Sequence, residues 1–234
     1  MVYLSIIIPC HNEEVSLPIL GKELEKVLIK NLKDNWEVIL VDDASTDDTY
    51  KIMKQYEKNK LFRIIHFDKR EGQTGAFRVA FNIAKGEYII RMDGDLQDDP
   101  KDIPKFLEKL KQGSELVVGL RECRKHSKIL RLASGIFDLV AILLLNSPFH
   151  SSSGSFVAFK AEFVKDIPFR KNDHRYLPLI VMKRGAKYIS EIFVTHNERI
   201  GDKSKYPKFK KIILGGPEVL FFLIRYKLGV YDKK

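Results

Sequence analysis

Two carboxylates directly follow a predicted strand in the segment Asp93-Gly94-Asp95. The preceding run, 88–92, is mostly apolar and typical of a buried strand, so the pair lies at the carboxyl end of that strand. Hard divalent cations prefer carboxylate oxygens, and such a cation can bridge two phosphate oxygens and neutralise a departing diphosphate. Because acidic turns after strands are also ordinary surface features, the pair alone predicts only a candidate cation site.

Two further polar loops follow predicted strands. Asp42-Asp43 ends the run 36–41, and the segment 11–14, His-Asn-Glu-Glu, follows the run 4–9. Carboxylates in these places can accept hydrogen bonds from a nucleotide base or ribose. The loop after the first strand contains no glycine, which excludes a P-loop. Three acidic loops at one edge of a sheet favour a functional site.

The elements that must position these loops alternate along the chain. The pattern predicts strands at 4–9, 36–41, 62–67, 87–92, 115–120 and 156–159, and helices at 15–32, 49–56, 74–84 and 100–112. Such alternation argues for a mostly parallel sheet in an α/β fold, and ligands of such sheets bind beyond the carboxyl ends of the strands. We therefore expect the functional loops to start at Pro9, Asp42, Phe67 and Asp93.

The charge is unevenly distributed. Residues 1–117 carry 18 Lys and Arg against 21 Asp and Glu, and residues 118–234 carry 23 against 10, so the net charge is −3 in the first half and +13 in the second. An acidic half suits cation binding, and a basic half suits an anionic partner such as phosphate, nucleic acid or anionic lipid. A solvated basic surface is the alternative interpretation.

Cysteine usage and the start of the chain bear on location. Cys10 and Cys123 match neither a disulfide framework nor a CxxC metal site, which favours a reducing compartment. Met1 is followed at once by a predicted strand, without a charged and then apolar leader. We therefore expect a cytoplasmic protein.

The order of the motifs resembles that of the family 2 glycosyltransferases, which have the GT-A fold, a Rossmann-like nucleotide-sugar-binding domain. The resemblance is carried by 9–13 (Pro-Cys-His-Asn-Glu), 41–47 (Val-Asp-Asp-Ala-Ser-Thr-Asp), 72–76 (Gly-Gln-Thr-Gly-Ala) and 93–100 (Asp-Gly-Asp-Leu-Gln-Asp-Asp-Pro). The last of these resembles the polyprenyl-phosphate branch, the group of the dolichol-phosphate mannosyltransferases and their bacterial relatives. Further matches at 119–121, 153–156 and 196–206 extend the resemblance over residues 3–206.

The resemblance implies roles for the matched residues. The donor would be bound by Pro9, Asn12, Glu13, Asp42 and Gly75, with Asp42 holding the base. Asp93 and Asp95 would hold Mg²⁺ or Mn²⁺ at the donor diphosphate. Gln97 would line the sugar pocket, and Arg121 would act beside it in catalysis. His11 stands where the family more usually has tyrosine, which leaves the choice between UDP and GDP open.

The acceptor site is expected in the basic half. If 124–146 is a helix, Arg131 and Ser134 lie one turn apart on a polar stripe with Asp138, where they can hold a phosphate. The resemblance places acceptor-phosphate contacts there, at Arg121, and in the basic loop that contains Arg199, Ser204 and Lys205. The alternative for 124–146 is an amphipathic helix packed on the sheet.

The C-terminal segment has two interpretations. No run reaches the roughly 20 apolar residues that span a bilayer. We expect Gly215-Gly216-Pro217 to reset the backbone before a short helix at 218–228, whose aromatic, aliphatic and lysine residues suit an anchor at a membrane interface. A terminal helix docked on the domain is the alternative. The expected division is a catalytic domain at 1–206 and a basic amphipathic extension at 207–234.

The expected function is inverting, metal-dependent transfer of a sugar from a nucleotide-sugar to a polyprenyl phosphate. The expected location is the cytoplasmic face of a membrane, to which a membrane-anchoring partner protein could hold the enzyme. The QxxRW element of processive synthases is absent, since Trp36 is the only tryptophan. One alternative is a glycosyltransferase of the same fold that acts on a sugar hydroxyl, with Asp173 as general base. A sugar nucleotidyltransferase also places carboxylates and a metal at strand ends, but it would need a Gly-rich basic loop after the first strand, which residues 10–14 do not provide. A nucleic-acid binder would leave the acidic loops unexplained, and no nucleic-acid partner is expected.

Overall fold

A computed structural model describes residues 2–121, 139–140, 142–149, 154–198 and 208–233, with the backbone alone for 208–216. Seven strands in these residues form one sheet in the order β3-β2-β1-β4-β6-β5-β7. The strands are β1 Leu4–Cys10, β2 Trp36–Asp42, β3 Phe62–His66, β4 Tyr88–Arg91, β5 Leu116–Arg121, β6 Val157–Lys160 and β7 Ile189–Val194. All neighbours pair in parallel except β6, which is antiparallel to both β4 and β5.

The helices connect these strands. They are α1 Leu17–Leu32, α2 Thr49–Tyr56, α3 Gly72–Ile83, α4 Ile103–Lys111, α5 Leu177–Lys183 and α6 Lys208–Lys227, and residues 139–140 and 142–145 are helical too. Short 3-10 helices lie at Pro100–Asp102, Ala161–Phe163 and Asp173–Tyr176. The chain thus has the predicted α/β architecture with a mostly parallel sheet.

The sheet divides the core into two layers. Successive side chains of β1 point to opposite faces, so Ile7 joins one buried cluster with α3, α5 and α6, whereas Ile6 and Ile8 join another with α1 and α4. Both layers consist mainly of fully buried aliphatic and aromatic side chains. This packing holds the carboxyl ends of β1, β2 and β4 side by side, and the predicted functional loops leave from those ends.

The sequence pattern did not predict two of the elements, α5 and β7. The strand β7 lies at the edge of the sheet, and most of its residues are half-buried, among them Ser190 and Glu191. An edge strand packs against fewer neighbours and tolerates polar residues, so it lacks the apolar run that marks the central strands. The predicted strand at 156–159 is confirmed within one residue at each end.

The expected break at 215–217 is wrong. The backbone forms one helix from Lys208 to Lys227 that continues through Gly215, Gly216 and Pro217. Glycine and proline inside a helix cost free energy, but tertiary context routinely outweighs such local preferences. The expected end is confirmed, because Gly229 follows the helix with a positive φ of 73° and its N–H bonds to the Tyr226 carbonyl.

The segment predicted as an extension also contributes to the core. Phe222, Tyr226 and Tyr231 are buried, and Phe222 stacks on Tyr176 with 4.1 Å between the ring centroids. The inner face of the terminal helix is therefore docked on the domain. No helix in the described part of the chain is long and apolar enough to cross a bilayer.

Candidate active site

The loops after β1 and β2 are joined to each other by polar side chains. Asn12, at a positive φ of 57°, accepts a hydrogen bond from the Thr46 N–H at 2.9 Å and donates its own N–H to Ser45 Oγ at 3.0 Å. The Glu13 N–H donates to Thr49 Oγ1 at 2.7 Å. Pro9 is buried within β1 beside Val41. These predicted donor-binding residues therefore lie together, and Asn12 and Glu13 also fix the loops from which they come.

Asp42, the residue expected to hold the base, is fully buried at the end of β2. One of its oxygens lies 2.7 Å from His66 Nδ1, and the other accepts from the Ser45 N–H at 3.3 Å. The His66 ring in turn stacks on Tyr50, with 4.1 Å between centroids. The exposed His66 thus covers the buried Asp42 on the side of β3, and sequence reasoning did not single it out.

The neighbouring Asp43 holds the start of α3. Its carboxylate accepts from the N–H groups of Glu71 at 2.7 Å and Gly72 at 3.0 Å. Two adjoining cavities of about 480 and 300 Å³ open beside this turn, and both are lined by Gly75 and Arg78. A Cβ at Gly75 would lie 2.5 Å from the Glu71 Cβ, so this predicted donor residue must be glycine for the turn to close.

The acidic loop, residues 93–98, follows β4 as predicted. The Asp95 carboxylate accepts from the Gln97 N–H at 3.2 Å, and Asp93 lies 3.4 Å from the Gln73 side-chain amide at the start of α3. The Gln97 carbonyl accepts from the Asn197 N–H at 2.9 Å, so the segment after β7 braces the loop. Asp93, Asp95 and Gln97 are thus brought together at one edge of the sheet.

Arg121 joins this loop from the end of β5. Its guanidinium donates to Ser155 Oγ and lies 3.5 Å from the carboxylate of Asp98, which is fully buried. Ser155 also donates to Asp98, at 3.3 Å. The predicted catalytic arginine therefore lies beside the acidic loop and contacts it at Asp98. Sequence reasoning gave Asp98 no role, although it belongs to the same motif.

Electrostatics in this loop favour a cation. Burial, and then the nearby charge of Asp93, raise the pKa of Asp98 to about 7, and the Arg121 guanidinium opposes that shift. Three carboxylates thus occupy six residues with one guanidinium beside them. Among the described residues, no three Asp, Glu, His or Cys side chains are grouped closely enough to hold a metal ion by themselves.

A second guanidinium lies beneath the loop. Arg91, the last residue of β4, is buried with its guanidinium 4.6 Å from the centre of the Phe77 ring, and it donates to the carbonyl of His174. His174 Nδ1 lies 2.7 Å from Thr74 Oγ1 on α3. Burial, together with the charges of Arg91 and Arg175, lowers the pKa of His174 to about 2, so its ring stays neutral. An isolated histidine and arginine in the sequence gave no signal of this network.

Asp173 is not suited to the role of general base. Its buried carboxylate accepts from Arg225 Nη2 and from the Tyr231 hydroxyl, both at 2.7 Å, and from the Arg170 N–H at 2.7 Å. These partners fasten the C-terminal segment to the loop 170–176. The expectation that Asp173 is the alternative general base is therefore corrected: its carboxylate has a structural role.

The remaining predicted acceptor residues lie outside the described part of the chain. They are Arg131, Ser134, Arg199, Ser204 and Lys205. Their assignment stays a prediction, as does the division at 206, which falls in the same unassigned segment. Arg121 is thus the one predicted phosphate contact whose surroundings the structure describes.

A comparison with protein families decides the class. Residues 5–167 match the family described as Glycosyl transferase family 2. The chain belongs to this family. It is therefore a glycosyltransferase, and the family expected from the motifs is confirmed.

Two relatives of this family 2 glycosyltransferase carry names that identify a branch. The dodecaprenyl-phosphate galacturonate synthase of Rhizobium johnstonii is 33% identical over 231 residues, which cover 96% of this chain and 68% of the relative. The undecaprenyl-phosphate 4-deoxy-4-formamido-L-arabinose transferase of Pseudomonas savastanoi pv. phaseolicola is 30% identical, over 91% of this chain and 63% of its own length. The resemblance to the polyprenyl-phosphate branch is thereby confirmed.

A solved structure confirms the fold. The glucosyl-3-phosphoglycerate synthase of Mycobacterium tuberculosis, in complex with Mn²⁺, UDP-glucose and phosphoglyceric acid, superimposes with a TM-score of 0.69 at 18% identity, over 96% of this chain and 79% of the synthase. At that identity the likeness concerns the fold, which is the GT-A fold expected from the motifs.

Proposed function

We propose that this glycosyltransferase moves a sugar from a nucleotide-sugar to a polyprenyl phosphate in a reaction that depends on a divalent metal. The observation that carries the proposal is the meeting of the acidic loop with Arg121, which contacts Asp98 at 3.5 Å. The loop offers carboxylates for a metal at the donor, and the guanidinium offers a positive group for a second anion. The names of the two polyprenyl-phosphate relatives support a lipid phosphate as that anion.

Asp93 and Asp95 are proposed as the metal ligands. Their donor atoms are hard carboxylate oxygens, which suit Mg²⁺ or Mn²⁺. The pKa of the neighbouring Asp98 is raised first by burial and then by the negative charge of Asp93, which a cation would offset. A bound divalent ion would neutralise charge on the departing nucleoside diphosphate. The synthase that shares the fold was crystallised with Mn²⁺ and UDP-glucose, which supports this assignment.

The donor is proposed to lie across the carboxyl ends of β1, β2 and β4. Pro9, Asn12 and Glu13 would border the nucleotide on one side and Gly75 on the other, with Gln97 next to the sugar. Asp42 would act at the base mainly through His66, because the Asp42 carboxylate is buried beneath that ring. The identity of the base, uracil or guanine, is left to experiment.

The acceptor phosphate is proposed to contact Arg121. A phosphate is already an anion at pH 7, so in-line attack at the anomeric carbon, with inversion, needs positioning more than a strong general base. The planar guanidinium can bind a phosphate through two parallel hydrogen bonds. Residues proposed to complete this site are Arg131, Ser134, Arg199, Ser204 and Lys205.

The location follows from the acceptor. Because a polyprenyl phosphate lies in a bilayer, we place the enzyme at the cytoplasmic face of a membrane, held by its own surface or by a membrane-anchoring partner protein. Nothing in the proposed reaction involves a nucleic acid.

The test is a matrix of donors and acceptors. UDP- and GDP-sugars are offered with a short polyprenyl phosphate, with a glycan or glycolipid that has free sugar hydroxyls, or with neither acceptor, in Mg²⁺, Mn²⁺ or EDTA, while released nucleotide and labelled acceptor are measured. We expect label on the lipid with at least one donor and its loss in EDTA. Transfer to a sugar hydroxyl, with none to the lipid phosphate across the panel, would replace this proposal by the hydroxyl-acceptor alternative.

A further inference from the structure

The terminal helix α6 has large apolar side chains both on the face that packs against the core and on the face exposed to solvent. Leu220, Phe221 and Ile224, together with Leu228 directly after the helix, whose N–H still bonds to the Ile224 carbonyl, are between 45% and 76% exposed. Their spacing of one, four and eight residues places them within one helical face of about 100°. We name these four residues the outer ridge. Exposed apolar side chains that are grouped rather than scattered mark a contact surface.

The opposite face of the helix is already occupied. Phe222 and Tyr226 belong to the buried cluster beneath the helix, and Val219 and Leu223 pack against that cluster. Turning the helix to bury the outer ridge would expose these side chains instead. The ridge is therefore a second apolar face of the helix and not a displaced part of the core.

Polar contacts hold the helix in this orientation. Glu218, at the middle of the helix, accepts from Asn172 at 2.7 Å and from Arg175 at 3.1 Å, and Arg225, near its C-terminal end, pairs with Asp173 at 2.7 Å. All three partners belong to the loop 170–176, where His174 contacts Thr74 on α3, one residue after Gln73. The ridge is thus fixed relative to the acidic loop, which Gln73 approaches at Asp93.

The charge of the helix identifies the partner. Its 20 residues include four lysines, Lys208, Lys210, Lys211 and Lys227, besides Arg225, which is paired with Asp173, and a single acidic residue, Glu218, which is paired with Arg175. Apolar side chains flanked by lysines suit the boundary between acyl chains and anionic headgroups. An acidic protein would satisfy the lysines but would leave the apolar ridge without a counterpart.

A second exposed apolar stretch lies on the same side of the sheet. Leu139, Ile142, Leu143 and Leu144 are between 43% and 68% exposed, while the adjoining Leu145 is buried in the cluster that also contains Phe222. Both stretches therefore back onto one core layer.

We propose that the outer ridge of α6 is a docking surface for an anionic lipid bilayer. The choice of a bilayer rests in part on the proposed function, since a lipid acceptor requires the enzyme to reach a membrane. The docked helix would hold the carboxyl edge of the sheet in a fixed orientation to that membrane. The binding itself requires neither donor nor acceptor.

The experiment compares two double variants of the full chain on vesicles of phosphatidylcholine and phosphatidylglycerol that contain no polyprenyl phosphate. The ridge variant is Phe221→Asp/Leu228→Asp. The matched control is Ile19→Asp/Ile29→Asp, since these residues are 48% and 52% exposed on α1, on the other face of the sheet, and the change in net charge is the same. Both variants therefore have the same net charge, and only one of them loses the apolar ridge.

We expect the wild type to sediment with the vesicles, the ridge variant to bind at least tenfold more weakly, and the control to bind at most about threefold more weakly, because its two charges lie on the other face of the sheet and salt screens charges beyond roughly 8–10 Å. Equal binding by the two variants, no binding by the wild type, or a ridge-dependent dimer in solution without vesicle binding would each overturn the proposal. Phe221→Ser/Leu228→Ser, checked by thermal unfolding, repeats the test without buried-charge effects. Sugar transfer to a detergent-dispersed polyprenyl phosphate, measured on the same variants, separates failure of docking from failure of the proposed function.

Discussion

Charge balance is the main physical constraint at the level of single residues. Asp93, Asp95 and Asp98 lie within one short loop, and two guanidinium groups approach it, Arg91 from beneath and Arg121 from beside. Arg121 is already paired with Asp98 in the absence of substrate. An acceptor phosphate would therefore compete with Asp98 for the guanidinium or share it.

The first prediction concerns the proposed metal ligand Asp95. Asp95→Asn keeps the size of the side chain and its ability to accept from the Gln97 N–H, but it removes a charged ligand. We expect an unchanged fold and a loss of turnover of roughly 100-fold or more at saturating Mg²⁺ or Mn²⁺, as for the loss of one strong electrostatic contact to a transition state. The measurement is the steady-state rate of nucleotide release. Asp34→Asn, on the exposed surface, is the control, and near-parental turnover of Asp95→Asn would remove Asp95 from the metal site.

The second prediction concerns Arg121. Lysine in its place keeps the positive charge but loses the two-pronged geometry, and a hydrogen bond to a charged group contributes about 1.5–3 kcal/mol. We expect Arg121→Lys to lower kcat/KM for the polyprenyl phosphate by roughly 10- to 100-fold while hydrolysis of the donor is largely spared. The comparison of transfer with hydrolysis in the same preparation is its own control. Parallel losses of both activities would assign Arg121 to holding the acidic loop through Asp98.

At the level of elements, the loop 170–176 connects three parts of the fold. His174 contacts Thr74 on α3 and accepts from Arg91 on β4, while Asp173 and Arg175 contact α6. The Thr74 hydroxyl accepts from the Asn172 N–H and can donate to His174 Nδ1, which requires a neutral ring. The loop thus links the terminal helix to the start of α3 through direct polar contacts.

The third prediction follows from the neutral state of His174. Its pKa falls from 6.5 unfolded to about 2 folded, so its contribution to stability is complete above pH 6.5 and is lost as the pH falls below that value. Asp98, whose pKa is raised to about 7, acts in the opposite direction, so the wild-type profile alone cannot isolate His174. We therefore compare His174→Gln with the wild type by urea unfolding at pH 7.5 and 5.5. The stability advantage of the wild type should shrink by about 1.4 kcal/mol between the two values, and an advantage independent of pH would contradict the buried neutral ring.

Across the whole molecule, the sequence predicts the central elements well because their pattern is set by burial on both faces. The apolar runs of β1 and β2 and the acidic residues that follow them are visible without structure, and parallel pairing then brings their ends together. What it does not predict arises from contacts between distant segments. Asp42 and His66, or Arg91 and His174, meet only when the sheet and the loop 170–176 are assembled. The helix through Pro217 likewise depends on tertiary context that outweighs the local breakers.

The last prediction concerns the closure of the core by the C-terminal segment. Tyr231 is fully buried, its hydroxyl donates to Asp173 at 2.7 Å, and it accepts from Arg225 Nε at 2.9 Å. Tyr231→Phe keeps the ring but leaves a buried carboxylate without one of its donors, so we expect the free energy of unfolding in urea to fall by about 1.5–3 kcal/mol. Tyr188→Phe, on a ring that is 70% exposed, should change it by less than about 0.5 kcal/mol. If the C-terminal segment were a detachable extension, Tyr231→Phe would be as neutral as Tyr188→Phe, and the domain would unfold independently of residues 208–233.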